Sequence, residues 1–84
     1  MNHVYILQSE KNGRFYVGST TDLNERIKKH SGGSVLSTKA YRPWKIVFRQ
    51  EFESYSDARK AEIRVKKYKR RDYIIKLISG DLVL

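Results

Sequence analysis

Glu62 is the only carboxylate between Arg59 and Arg71, a stretch that holds eight Lys and Arg residues. On a helix it shares a face with Ala58, Ala61 and Val65, so its charge points toward an apolar interior. A carboxylate aimed inward requires a partner or a metal ion. The small alanines beside it leave room for a hydrated ion. One carboxylate plus substrate phosphate oxygens is an ordinary way to hold Mg2+, which keeps several of its waters. The competing reading is an ion pair along the helix, because Glu62 to Lys66 is the favourable i,i+4 order. Spacing alone does not separate the two.

Arg26 and His30 are also four residues apart and face inward along the edge of a helix. An arginine there can fork onto two phosphate oxygens and stabilise charge in a transition state. A histidine can move a proton near neutral pH. It can equally cap the helix C-terminus, where a late histidine is favoured. Tyr5 and Tyr16 fall on one face of a predicted hairpin. A tyrosine serves as a general base, or positions a water, when a nearby cation lowers the cost of the phenolate. Cross-strand aromatic packing explains the same two residues without chemistry. Gly18, between Val17 and Ser19 in a strand, marks either a close approach of another group or a bulge.

Two segments are suited to phosphate contact. One is the basic run Arg64–Arg71, with Lys66, Lys67, Lys69, Arg70 and Arg71. The other is Lys39, Tyr41 and Arg42 in a connecting segment. Charge with an interleaved aromatic fits binding that tolerates any sequence. A solvated helix face explains any one of these lysines equally well.

The elements that position these residues are legible in outline. Residues 3–9 and 14–20 are β-rich and apolar, and Asn12-Gly13 between them is a strong hairpin signal. A two-residue turn there predicts Ser9 opposite Tyr16 and Leu7 opposite Gly18. It places Tyr5, Leu7, Tyr16 and Gly18 on one face and Val4, Ile6, Phe15 and Val17 on the other. A helix is predicted from about Asp22 to His30, with Asp22 and Glu25 as a capping box. Residues 31–43, rich in Gly and Ser and holding Pro43, read as a flexible loop. Residues 44–52 alternate as a third strand, with Trp44, Ile46, Phe48 and Phe52 on one side. Ser56 is the expected N-cap of a helix through about Tyr68. A last helix over Arg71–Ser79 buries Ile74, Leu77 and Ile78 and stops at Gly80. The order β-β-α-β-α-α predicts an α+β domain: a three-stranded sheet with an N-terminal hairpin, flanked by three helices.

With 84 residues, no repeats and no linkers, one domain spanning 1–84 is expected. A chain this short cannot enclose a large substrate, so substrate must lie across a surface or in a shallow groove. There are no cysteines, which excludes a disulfide framework and a thiolate zinc site; two histidines alone do not make a structural zinc site. Lys plus Arg number 18 against 9 Asp plus Glu, a net charge of +9 that attracts polyanions. The N-terminus lacks the apolar core of a signal peptide, and no apolar run reaches membrane-spanning length. A soluble, cytoplasmic monomer is therefore expected, with nucleic acid, DNA first, as its partner and no membrane.

Together these residues resemble the GIY-YIG nuclease family. The first half of the motif is similar to His3-Val4-Tyr5, which keeps the tyrosine, and the second to Tyr16-Val17-Gly18. Arg26-Ile27-Lys28-Lys29-His30 resembles the family's Arg-x-x-x-His helix, and Ala61-Glu62-Ile63 its metal-binding glutamate. Tyr41-Arg42-Pro43-Trp44 resembles a stretch of the small stand-alone bacterial members. The catalytic domain of structure-specific endonucleases that cut branched DNA is also similar. The resemblance covers essentially the whole chain. It implies a metal-dependent endonuclease using one divalent ion, Mg2+ or Mn2+, held by Glu62, with structure rather than sequence preference. Tyr5 is implied as general base with His30 accepting its proton, Tyr16 as the residue that positions water or phosphate, and Arg26 as the stabiliser of the pentavalent phosphate. Some members carry an asparagine late in the domain, and Arg71–Leu84 has none. Much targeting in the family comes from attached domains or partners, so a protein partner that supplies targeting is expected here. The alternative is a nucleic-acid-binding module that has lost activity.

Overall fold

The computed structural model describes every residue of 1–84 except Lys69. Its elements are β1 (Asn2–Ser9), β2 (Phe15–Thr20), α1 (Leu23–Ser31), α2 (Leu36–Lys39), β3 (Trp44–Phe52), α3 (Tyr55–Lys67) and α4 (Arg71–Ser79). The three strands form one antiparallel sheet in the order β2-β1-β3. The fold is α+β as expected, with a short helix α2 added to the predicted order. None of the described helices is long and apolar enough to cross a membrane.

The central strand is buried on both faces at Val4, Tyr5, Ile6 and Leu7. Val4, Ile6 and Val17 pack against Ala58, Ala61 and Val65 of α3 and Ile74 and Leu77 of α4. Tyr5 and Leu7 pack on the opposite face with Leu23 and Ile27 of α1, and with Tyr16 and Trp44. Ile78 was expected inside, but it turns outward and is exposed.

The hairpin register differs from the expectation by two residues. Leu7 pairs with Tyr16 and Tyr5 with Gly18. The loop has four residues, not two, because Ser9 closes it. Ser9 N donates to Arg14 O (2.8 Å), and Gly13 N donates to Ser9 O (2.9 Å). The Ser9 hydroxyl accepts from Lys11 N and Asn12 N. Gly13 takes φ +76°, which glycine tolerates without strain. A slip of two is a full pleat period, so both predicted faces survive.

The third strand departs further. A register shift between Ile6 and Leu7 leaves Val47 as an extra residue, with Phe48 opposite Ile6 and Ile46 opposite Leu7. This β-bulge breaks the alternation. Phe48 and Phe52 pack on the α3 side, while Trp44 packs on the α1 side.

The helix ends follow local chemistry. Asp22 caps α1 by accepting from Glu25 N (3.1 Å). The cap of α3 is Ser54, not Ser56: Ser54 is extended and accepts from Asp57 N (3.1 Å), which puts Ser56 inside the first turn. Gly80 ends α4 with φ +86°, as predicted from its position. The segment 31–43 is not a free loop. Its carbonyls at Thr38, Tyr41 and Pro43 accept from Trp44 Nε1, Ser9 Oγ and Glu10 N at 2.8, 2.6 and 2.8 Å.

Candidate active site

Tyr5 lies on the central strand directly opposite Gly18, fully buried. A Cβ added at Gly18 would come within 2.5 Å of the Tyr5 hydroxyl oxygen and 2.6 Å of Cζ, so the tyrosine occupies the space the glycine leaves. Gly18→Ala is expected to cost about 1–3 kcal/mol through overpacking. Thermal unfolding checks this, with a fall of several degrees expected.

The Tyr5 hydroxyl and His30 Nε2 are 3.0 Å apart, and His30 Nδ1 and Thr38 Oγ1 are 2.9 Å apart. Thr38 Oγ1 donates its own proton to Val35 O at 3.3 Å. That donation leaves Thr38 as acceptor from His30 Nδ1–H. The ring's other nitrogen, Nε2, then accepts from the Tyr5 hydroxyl. All three side chains are buried. The chain of bonds therefore has a direction: Tyr5 to His30 to Thr38 to Val35 carbonyl.

Tyr16, half-buried, closes the cluster with its ring 4.9 Å from His30, 6.3 Å from Tyr5 and 6.4 Å from Trp44. Arg26 stands one turn before His30 on α1, half-buried, with no side-chain hydrogen bond or ion pair among the described residues. Its charge reaches both neighbours. Burial raises the Tyr5 phenol well above its ordinary value, and Tyr16 adds to this while Arg26 opposes it. Burial lowers His30 below its ordinary value, and Arg26 lowers it further, so the imidazole is neutral near pH 7.

Glu62 is reached from the other side of the sheet. Its Oε1 accepts from Ser19 Oγ and from Arg59 Nη1 (2.7 Å), and its Oε2 accepts from Lys66 Nζ (2.6 Å). The predicted i,i+4 ion pair is thus formed, together with a second ion pair and a hydroxyl donor. Burial pushes the carboxyl up, but hydrogen bonds from Lys66, Ser19 and Arg59 outweigh it and hold Glu62 below the usual range. Alternation along β2 explains the placement. Ser19 lies on the α3 face with Val17, while Tyr16 and Gly18 lie on the α1 face.

Both His30 and Glu62 titrate below their ordinary values, so the unfolded chain binds each proton more tightly than the folded one. Stability from His30 is complete above about pH 6.5 and is lost as pH falls toward the folded value. Glu62 adds a second loss at lower pH, as pH falls through its depressed value. The urea midpoint is expected to drop between pH 7 and pH 5. In His30→Gln the part of that drop nearest neutrality should shrink.

The structure brings Tyr5, Tyr16 and His30 into contact and places Arg26 within electrostatic reach. Glu62 is set apart from them across β2, although its charge is felt at Tyr5. Because β2 is an edge strand, a groove runs along its free side and takes residues from both faces. The cavity there, about 510 Å3, is lined by Arg14, Tyr16, Lys66 and Arg71 together with the apolar Phe15, Val17 and Ile74. Of the predicted phosphate contacts, Lys66 and Arg71 border this groove. Lys67 and Arg70 are exposed beyond it, Arg70 beside Asp72. Lys39 and Arg42 line a separate cavity, while Arg14 stacks over the Tyr41 ring at 4.8 Å. Lys69 lies outside the described residues.

No group of three or more His, Cys, Asp or Glu gathers among the described residues. Glu62 would be the sole carboxylate on a divalent ion, a donor set that Mg2+ accepts when phosphate oxygens and waters complete it. The fit requires Arg59 and Lys66 to yield their places. Their side chains are 52% and 49% exposed, so they are free to swing into solvent.

Ser19, Arg59 and Thr38 were not anticipated. Ser19 had a signal: a hydroxyl on the apolar face of a strand matches a carboxylate on the apolar face of a helix. Thr38 had none, because the glycines between it and His30 hide their relative placement.

The profile of the GIY-YIG catalytic domain matches residues 1–74. The UPF0213 protein BH0048 of Halalkalibacterium halodurans is 44% identical over 95% of this chain and 88% of its own length. The UPF0213 protein SSP2268 of Staphylococcus saprophyticus is 35% identical over 93% of this chain and 94% of its own. The solution NMR structure of BH0048, there assigned to Bacillus halodurans, superposes with a TM-score of 0.59 at 37% identity, covering 94% of this chain and 84% of that one. With its hairpin tyrosines, its Arg26–His30 helix and its inward Glu62 carried on the matched segment, the chain belongs to the GIY-YIG catalytic domain family.

Proposed function

We propose that this protein is a divalent-metal-dependent endonuclease that hydrolyses phosphodiester bonds of nucleic acid, with DNA of irregular structure as its substrate. The observation that carries the reading is the directed hydrogen-bond chain from Tyr5 through His30 to Thr38, set beside a groove lined by Tyr16, Arg14, Arg71 and the Lys66 that pairs with Glu62. The scissile phosphate would lie along the free edge of β2, between Tyr16 and Glu62. Tyr16 positions the attacking water. That water gives its proton to the Tyr5 oxygen as the Tyr5 proton passes to His30 Nε2. Burial keeps a free Tyr5 phenolate from accumulating, so the two transfers are concerted. Arg26, without a side-chain partner among the described residues, forks onto the phosphate oxygens as charge builds there. A divalent ion at Glu62, Mg2+ or Mn2+, would supply Lewis-acid polarisation of the phosphate and stabilise the leaving oxygen. The remaining basic residues meet backbone phosphates, which position DNA without reading its sequence.

Thr38 holds His30 in the tautomer that can accept from Tyr5. Thr38→Val is expected to slow cleavage roughly ten- to a hundredfold with KM nearly unchanged, a part of what general base catalysis contributes. The nitrogen shifts of His30 should move with it, which loss of packing alone would not cause. Unchanged shifts and rate would remove Thr38 from the site.

The complete pairing of Glu62 favours a second reading, a module that binds nucleic acid without cutting it. A panel of flap, junction, single-stranded and duplex DNA and of RNA, incubated with Mg2+ or Mn2+, separates the two. The nuclease reading expects cleavage of at least one substrate that chelator abolishes. Salt-sensitive binding with no cleavage of any would favour the second.

A further inference from the structure

Trp44, whose ring centroid lies 6.4 Å from that of Tyr16, also lines a second concavity. This cavity, about 440 Å3, is lined by Lys11, Ser31, Lys39, Arg42 and Trp44. Its cations come from two segments distant in sequence, and backbone carbonyls hold two of them in place. Arg42 Nε donates to Lys39 O (3.0 Å) and Nη1 to Ser31 O (3.5 Å). The guanidinium lies against Gly33, where an added Cβ would come within 2.9 Å of Nη1. Lys11 Nζ donates to Ala40 O (3.3 Å). The segments are tied together by Ser9 Oγ on Tyr41 O and Glu10 N on Pro43 O.

Among the described residues, none of these three cations has a carboxylate partner. The ion pairs among the described residues are Arg59–Glu62, Lys66–Glu62 and Arg70–Asp72. Unpaired like charges lining one concavity focus a positive potential that an anion relieves. Arg42 keeps guanidinium donors free for a planar oxygen pair, and Trp44 offers an apolar wall beside them. Anionic oxygens attached to a sugar use both features, whereas a free carboxylate uses only the first.

We propose that this cavity is a phosphate subsite, which holds a nucleic-acid backbone phosphate flanking the one at Tyr16. The assignment of the ligand rests on the nuclease reading. The site itself does not, so the two can fail separately.

The test has two arms. Inorganic phosphate titrated into the metal-free protein should shift the backbone amides of Lys11, Gly33 and Arg42 saturably, and the shifts should vanish in the double variant Lys11→Gln/Arg42→Gln. In the second arm, Arg42→Gln should weaken binding of single-stranded DNA several-fold and lower the salt slope by about one. Arg42→Lys, which keeps the charge, should restore the slope. These side chains are exposed at the surface, so the variants should fold, which unfolding curves verify. Phosphate shifts confined to the β2 groove, phosphate shifts nowhere, or an unchanged salt slope would each overturn the subsite. Correct shifts and slope in a protein that cuts nothing would uphold the subsite and refute cleavage.

Discussion

Arg26→Ala is expected to reduce single-turnover cleavage by about 10³-fold or more, in the range an arginine contributes to phosphoryl transfer. The residue is half-buried beside Tyr5 and His30 and makes no side-chain hydrogen bond or ion pair among the described residues. A cation held without a partner does little for the resting fold, so the melting temperature should barely move. Its absence would be felt when negative charge grows on the phosphate. A second consequence follows from its effect on His30. Arg26 helps to hold the imidazole below its ordinary value. Without it His30 binds a proton at higher pH, and a protonated ring cannot accept from Tyr5. The acid limb of the pH–rate profile should therefore shift upward in the variant. Arg26→Lys keeps the charge but loses the fork, and should recover the limb before it recovers the rate.

Glu62→Gln is expected to abolish metal-dependent cleavage, with a loss of about 10³-fold, comparable to removal of one strong electrostatic element from a site. The change is nearly isosteric and leaves an oxygen for Ser19. Arg59 and Lys66 lose their partner, but both are half-exposed, and ion pairs of that kind contribute at most about 1 kcal/mol. A modest fall in melting temperature is thus expected alongside a large fall in rate. Broadening of the Ser19 and Glu62 amide signals by added Mn2+ in the parent, and its absence in the variant, would report metal occupancy independently of cleavage. Equal cleavage by parent and variant would mean that Glu62 serves only its ion pairs.

The legibility of the sequence tracked the range of the forces involved. Helical phase pointed Glu62 inward correctly, because a single helix sets that direction. The tyrosine face of the hairpin was correct despite a wrong turn, because the two-residue error equals one pleat period. The third strand was misread from Val47 onward, because a bulge depends on the neighbouring strand and leaves no mark in the alternation. Ser54 was missed as a cap because Ser56 offers the same hydroxyl two residues later, and only the backbone angles distinguish them. Thr38 was the least visible. Its contact with His30 spans a turn with φ +78° at Gly33, and composition alone suggested a flexible loop. The site's most directional feature therefore rests on the segment that pattern reading described least well.

The central claim is that Glu62 and the tyrosine–histidine cluster serve one phosphodiester-cutting centre. Its most direct test is cleavage of the flap, junction and single-stranded DNA panel by the parent protein and by Glu62→Gln, with Mn2+ and with chelator. Products are expected only from the parent with metal. Cleavage that survives chelator, or that Glu62→Gln retains in full, would contradict it.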